Sequence, residues 1–170
     1  IILVLACLFR MGSYNIEPLF SDTANYARIS AEISKGDYWL TGANASDKPP
    51  VFFYIQAVFF ALFGVHESVA LLPSFLAGLV GVILMYVIGK QVHSETAGLW
   101  ASFMMAISPA AVKMSVLGLV DGLLVTTILL SIWLLTKKYF FLGGIFIGLA
   151  FGVKQTTLAF GPLYLYLIII

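Results

Sequence analysis

Apolar residues run along this chain in long blocks, broken by one polar stretch and a few single charges. The blocks are Ile1–Phe9, Val51–Val65, Val69–Gly89, Ala97–Val120, Gly122–Thr136, Tyr139–Val153 and Thr157–Ile170. A helix that crosses a bilayer needs roughly 20 apolar residues, within a range of about 17–25. Val69–Gly89 meets that length. Ala97–Val120 is long enough, with Pro109 near its middle and Lys113 inside it. Gly122–Thr136 and Tyr139–Val153 reach it only by borrowing a turn past a flanking charge, which a snorkelling Lys permits. Val51–Val65 is shorter, carries Gln56 and follows Pro49-Pro50. Its length suits a re-entrant or interfacial segment better than a span.

The polar stretch contains a different pattern. Ser21 to Gly36 reads as a short surface helix. Ser21 is a suitable N-cap and Asp22 lies in the first turn, near the positive end of the helix dipole. Lys35 falls in the last turn and Gly36 is the stop. Tyr26, Ile29 and Ile33 recur at helical spacing and form one apolar stripe. Asp37-Tyr38-Trp39 follows, and Tyr and Trp favour the headgroup zone of a membrane.

Composition narrows the class. The chain is 61% hydrophobic and 10% charged, against about 25% charge in an ordinary soluble domain. One Cys and six Pro exclude a disulfide framework and a disordered chain. A net charge of +1 gives no reason to expect a nucleic-acid partner. The expectation is an all-α, polytopic transmembrane helical bundle. Residues 1–170 read as the N-terminal transmembrane part of a larger membrane domain, with 10–68 as an extracytoplasmic loop carrying juxtamembrane helices.

The single charges suggest an orientation. If Val51–Val65 does not span, Asp22, Lys48, Asp121 and Lys154 share one face of the membrane. Lys90, His93, Lys137 and Lys138 then share the other. If it does span, Asp22 and Lys48 join the lysine-rich loops instead. The positive-inside bias assigns Lys90–Glu95 and Lys137-Lys138 to the cytoplasm, and the first topology gathers the isolated acids and their cationic partners outside.

Four local patterns then fall in order. The first is Asp22-Thr23-Ala24-Asn25-Tyr26-Ala27-Arg28-Ile29 with Gly36-Asp37-Tyr38-Trp39, and the second is Asp47-Lys48-Pro49-Pro50. The third is Phe63-Gly64-Val65-His66-Glu67 with Leu72-Pro73-Ser74, and the fourth is Ser108-Pro109 with Asp121 following. In this register the chain resembles the N-terminal half of the GT-C-fold polyprenyl-phosphate-dependent glycosyltransferases. The relatives are the protein mannosyltransferases and the aminoarabinose (lipid A) transferases. It departs from the family at Thr23, Asn25, Asp47, Leu71 and Val116, where the family often has Glu, Arg, Glu, Arg and Arg.

The resemblance implies a multi-pass plasma-membrane hexosyl- or pentosyltransferase. It would move a sugar from a polyprenyl-phosphate donor to a protein or lipid acceptor on the extracytoplasmic side. Asp22 takes the place of the general base, and Lys48 is the best phosphate ligand. Asp47 is a candidate metal or acceptor ligand, with a solvated loop acid as the competing reading; no cofactor is firmly implied. Asp121 stands alone between apolar runs, where ionisable residues are rare and functional by default. Its expected role is to orient the donor or the surface helix. Lys154 pairs with Asp121 or binds phosphate. Arg28 binds phosphate or pairs with Glu32 one turn on.

Three smaller features have plainer readings. Gly144, Gly148 and Gly152 form a small-residue ridge that suits helix packing. His66-Glu67 offers too few ligands for a metal, and Asn44-Ala45-Ser46 matches a glycosylation sequon by chance. A different class remains open, a non-catalytic membrane protein or secondary transporter with Asp121 and Lys154 as an intramembrane pair. No repeated hydropathy halves support it.

Overall fold

A computed structural model describes residues 1–12, 19, 21–41 and 48–169. Their order is α1 (Ile2–Met11), α2 (Ser21–Ser34), α3 (Val51–Phe63), α4 (Glu67–Val92) and α5 (Glu95–Ile107). There follow α6 (Pro109–Val116), α7 (Val120–Thr136), α8 (Phe140–Val153), a 3-10 turn (Gln155–Phe160) and α9 (Gly161–Ile169). No strand occurs among the described residues, in keeping with the all-α expectation. α4 is long and apolar enough to cross a membrane by itself. α7 and α8, with 17 and 14 residues, are shorter apolar helices.

The helix expected over Ala97–Val120 is not continuous. α5 and α6 meet at Ser108 with a bend of 58°. Pro109 has no N–H to continue the ladder and its ring crowds the preceding turn. Ser108 caps the second half, its Oγ accepting from the Ala111 N–H at 3.5 Å. Serine as N-cap with proline at N1 is a helix start, so a new helix begins where the hydropathy runs on.

α2 forms where its periodicity places it, but Ser21 is its first helical residue and it ends at Ser34, so Lys35 falls past the last turn and not within it. Tyr26, Ile29 and Ile33 are all buried, and they join Phe52 and Phe53 of α3, Val120, Leu124 and Ile128 of α7, and Ala150 and Val153 of α8. Tyr26 meets the Phe52 and Phe53 rings at centroid distances of 6.0 and 5.5 Å. Burying an aliphatic or aromatic side chain of this size contributes about 1.5–3 kcal/mol each, so the stripe holds α2 down.

Gln56, the polar residue within the apolar α3, is fully buried and fully used. Its Oε1 accepts from Ser30 Oγ and its Nε2 donates to the Ala70 carbonyl, both at 2.7 Å. The one side chain ties α2, α3 and α4 together. An unpaired amide there would cost about 1–3 kcal/mol, so the two bonds fix which turn of each helix meets the others. α3 therefore packs across the end of the bundle where α4 and α7 begin and α8 stops. That end is called the polar end below.

The remaining helices close on small residues. A Cβ at Gly89 would lie 2.8 Å from Gly98 Cα, so α4 and α5 touch backbone to backbone. The ridge expected at Gly144, Gly148 and Gly152 is not a packing face throughout. Nothing lies within 4 Å of a Cβ at Gly144 or Gly148, whereas Gly152 meets Val51. α8 packs through Gly143, Ala150 and Val153 instead, a stripe one helical step round, with Gly143 against Leu135.

Candidate active site

The first turn of α2 is bolted to the segment that leads into α7. Thr23 is fully buried, and its Oγ1 donates to the Leu117 carbonyl. Gly118 follows with φ +66°, and a Cβ there would lie 2.8 Å from Leu71 and 2.9 Å from Thr23. Only glycine adopts that conformation without strain and leaves room for the two neighbours. Ser74 Oγ of α4 donates to the next carbonyl, Leu119, at 2.8 Å. These contacts fix where α2 and α7 start relative to each other. Asp22 is exposed in the first turn of α2, and Asp121 lies in the first turn of α7.

Asp121 accepts a hydrogen bond from Lys154 Nζ at 2.6 Å. The two side chains are 30% and 25% exposed, so the pair is shielded without being sealed. Lys154 stands where α8 ends and the 3-10 turn begins, its backbone extended at φ −160°. The N-terminal end of α7 favours the carboxylate through its unpaired N–H groups. The pair expected from sequence is therefore present and joins α7 to α8.

Lys48 is half-buried three residues before α3 begins at Val51, with Pro49 and Pro50 between them. Val51 packs against Gly152, two residues before Lys154. The two lysines thus flank one helix contact at the polar end. Arg28 is engaged on the exposed face of α2, donating to Glu32 at 3.0 Å and to Asn25 at 3.2 Å. Asp22, Asn25, Arg28 and Glu32 line that face at helical spacing. Asp47 and the Asn44-Ala45-Ser46 sequon lie outside the described residues. Among the described residues no three His, Cys, Asp or Glu side chains converge on a metal position. His66 stands at the N-cap position of α4 without a side-chain capping bond, and Glu67 opens the first turn.

A cleft of about 500 Å³ opens beside Asp121. Its walls are the bent α5–α6 pair, α4 and α7, and Met85, Met104, Met105 and Met114 line it. These are four of the five methionines in the chain. Methionine makes an apolar surface that reshapes easily around a flexible guest. Along α4 the lining runs from Gly78 to Met85, a rise of about 10 Å, so the cleft descends from Asp121 along the helices.

One charged residue was misplaced by its position in the sequence. Arg10 opens the 10–68 stretch in the sequence reading, yet it lies in the last turn of α1 and is fully buried. Its Nε donates to Ser115 Oγ at 3.3 Å, and its Nη1 donates to the carbonyls of Ala6 at 3.1 Å and Ala106 at 3.3 Å. The available signal was a lone charge at the end of an apolar run, one helical turn past Ala6.

Residues 47–170 match the dolichyl-phosphate-mannose-protein mannosyltransferase family. Two proteins of Bacillus subtilis (strain 168) are similar to the chain. The candidate mannosyltransferase YkcB is 45% identical over 91 residues, which is 54% of this chain and 13% of that protein. The candidate mannosyltransferase YycA is 34% identical over 177 aligned positions, 91% of this chain and 24% of that protein. The chain thus spans a quarter or less of the curated relatives it matches. No solved structure matches it.

Proposed function

Because the chain belongs to the dolichyl-phosphate-mannose-protein mannosyltransferase family, we propose that it carries the catalytic end of a multi-pass membrane glycosyltransferase. The polar end faces the extracytoplasmic side. The donor is a polyprenyl-phosphate sugar, and the acceptor is a hydroxyl of a protein or lipid. The observation that carries this reading is the Asp121–Lys154 pair, whose Asp121 lines the methionine-rich cleft. A lipid-linked donor has a charged phosphate at the membrane boundary and an apolar tail below it, and the cleft offers surfaces in that order.

In the reaction the acceptor oxygen attacks the anomeric carbon as its bond to the donor phosphate breaks. The carbon gains positive character on the way. Asp22, exposed at the start of α2, takes the acceptor proton as general base. Lys48 holds the departing phosphate, whose negative charge grows in the transition state. Lys154, with Asp121 orienting its ammonium, supplies a second positive charge. Arg28 extends the cationic surface along α2, and Asp47 is a candidate ligand for a divalent metal or the acceptor. Thr23 occupies a structural place, since its hydroxyl is committed to Leu117.

The test uses the full-length protein in membranes with a labelled polyprenyl-phosphate sugar. Asp22→Asn keeps the side-chain shape and removes the base. Transfer lost in this variant and present in the parent supports the reading. Full transfer by Asp22→Asn removes Asp22 as base. No transfer by the parent from any such donor favours the transporter or a non-catalytic relative.

A further inference from the structure

Arg10 sits at a break that shapes the cleft. The last carbonyls of α5 lose their helical donors where the chain bends. Arg10 Nη1 supplies one of them, at Ala106, while Nε holds Ser115 on α6. Ser115 in turn donates to the Ala111 carbonyl at 2.7 Å. One planar guanidinium therefore grips both halves of the broken helix from a third helix. Lysine has a single ammonium and lacks that fork. Gly78 of α4 is part of the same packing, since a Cβ there would lie 2.0 Å from Ser115 Oγ and 3.1 Å from Arg10 Nε. Gly78, Ser108, Ala111 and Ser115 all line the cleft beside Asp121.

We infer that Arg10 is a positioning residue that holds the α5–α6 bend and so sets the width of the cleft for the donor's isoprenoid tail. A buried cation is costly in a membrane bundle unless it is bonded inside the protein. Here its bonds go to the two sides of the bend and to its own helix. The elbow, left to itself, hinges at Ser108, and the methionine lining moves with it. The inference rests on the proposed function only for the identity of the guest. The clasp itself is a statement about geometry.

The test uses the full-length protein with Cys7→Ser and spin labels on cysteines placed at Trp100 of α5 and Lys113 of α6, both exposed. The distance between the labels reads the bend. Arg10→Gln removes the fork, and Ser115→Ala removes only the α6 half. Sugar transfer is then measured with a long-chain and a short-chain polyprenyl-phosphate donor. The expected result is a broadened distance distribution in both variants, wider for Arg10→Gln. The KM for the long-chain donor should rise roughly tenfold, as for loss of one charged hydrogen bond, with the short-chain KM unchanged. Loss of folded protein alone would lower kcat equally for the two donors. If Arg10→Gln fails to fold, Ser115→Ala gives the same two readouts at smaller amplitude.

An unchanged distance distribution overturns the inference, and so does an equal loss with long and short donors. If the parent protein transfers from neither donor, the functional reading has failed. The label distances still decide whether the clasp exists.

Discussion

Two lysine–carboxylate pairs mark opposite ends of the bundle and differ in every respect that matters. Lys90 and Glu95 are five residues apart, 3.2 Å between charged atoms, with side chains 50% and 63% exposed. The pair closes the turn between α4 and α5, with Tyr86 beside it. Lys154 and Asp121 are 33 residues apart, 2.6 Å between charged atoms, and only 25% and 30% exposed. An exposed local pair contributes little, because water and salt screen it. A shielded pair between helices contributes through what happens when one partner is removed. The same chemistry trims a loop at one end and ties α7 to the end of α8 at the other.

The largest expected effect is on chemistry at the organised end. Asp22→Asn should lower the rate of sugar transfer by about 100-fold or more, with α2 still seated on its buried stripe. Radiolabel transfer in membranes checks the first part, and protection of α2 from proteolysis checks the second. A variant that loses both would show that Asp22 matters for folding and not as a base.

Next come the two halves of the shielded pair. Asp121→Asn or Lys154→Met leaves a half-buried charge without its partner and should destabilise the purified full-length protein by about 1–3 kcal/mol, the partial exposure holding the value below that of a sealed pair. The double variant Asp121→Leu with Lys154→Met should cost less stability than either single change, while transfer stays lost. Thermal unfolding beside the transfer assay separates the two. Gly118→Ala should cost about 1–2 kcal/mol, through its left-handed backbone and the crowding of Thr23 and Leu71. Relief of that cost by Thr23→Ser would locate the strain at the α2 anchor.

The smallest effect belongs to the other end. Lys90→Gln or Glu95→Gln should leave the thermal unfolding midpoint nearly unchanged, and any change should fade further in high salt. A large loss would mean that the exposed turn is doing more than closing a loop.

What could be read from the sequence follows the same division. α2 was legible because a first-turn acid and a periodic apolar stripe agree within a single helix, although the helix stops at Ser34 and leaves Lys35 beyond its last turn. The pairing of Asp121 with Lys154 was legible because lone charges in apolar surroundings seek each other, and the chain alternates direction. The bend at Ser108 was present in the letters as a cap and a proline, but a continuous hydropathy run concealed it. The glycine ridge misled because spacing gives the angle of a stripe and not which stripe finds a neighbour. Gln56 reads as a reason against a membrane span, whereas in the structure it is a buried tie between three helices. Arg10 was the least legible. Its acceptors lie 96 and 105 residues away, and no local pattern points to them.

The central claim is that the start of α2 and the junction of α7 with α8 share the outer face of the membrane. Single cysteines at Ala24→Cys, Gln155→Cys and Ser94→Cys, all exposed positions, in full-length protein with Cys7→Ser, test it with an impermeant thiol reagent on intact cells. The account predicts labelling of positions 24 and 155 from outside and of position 94 only after the membrane is opened. Labelling of position 24 from outside with position 155 reachable only from within would contradict it.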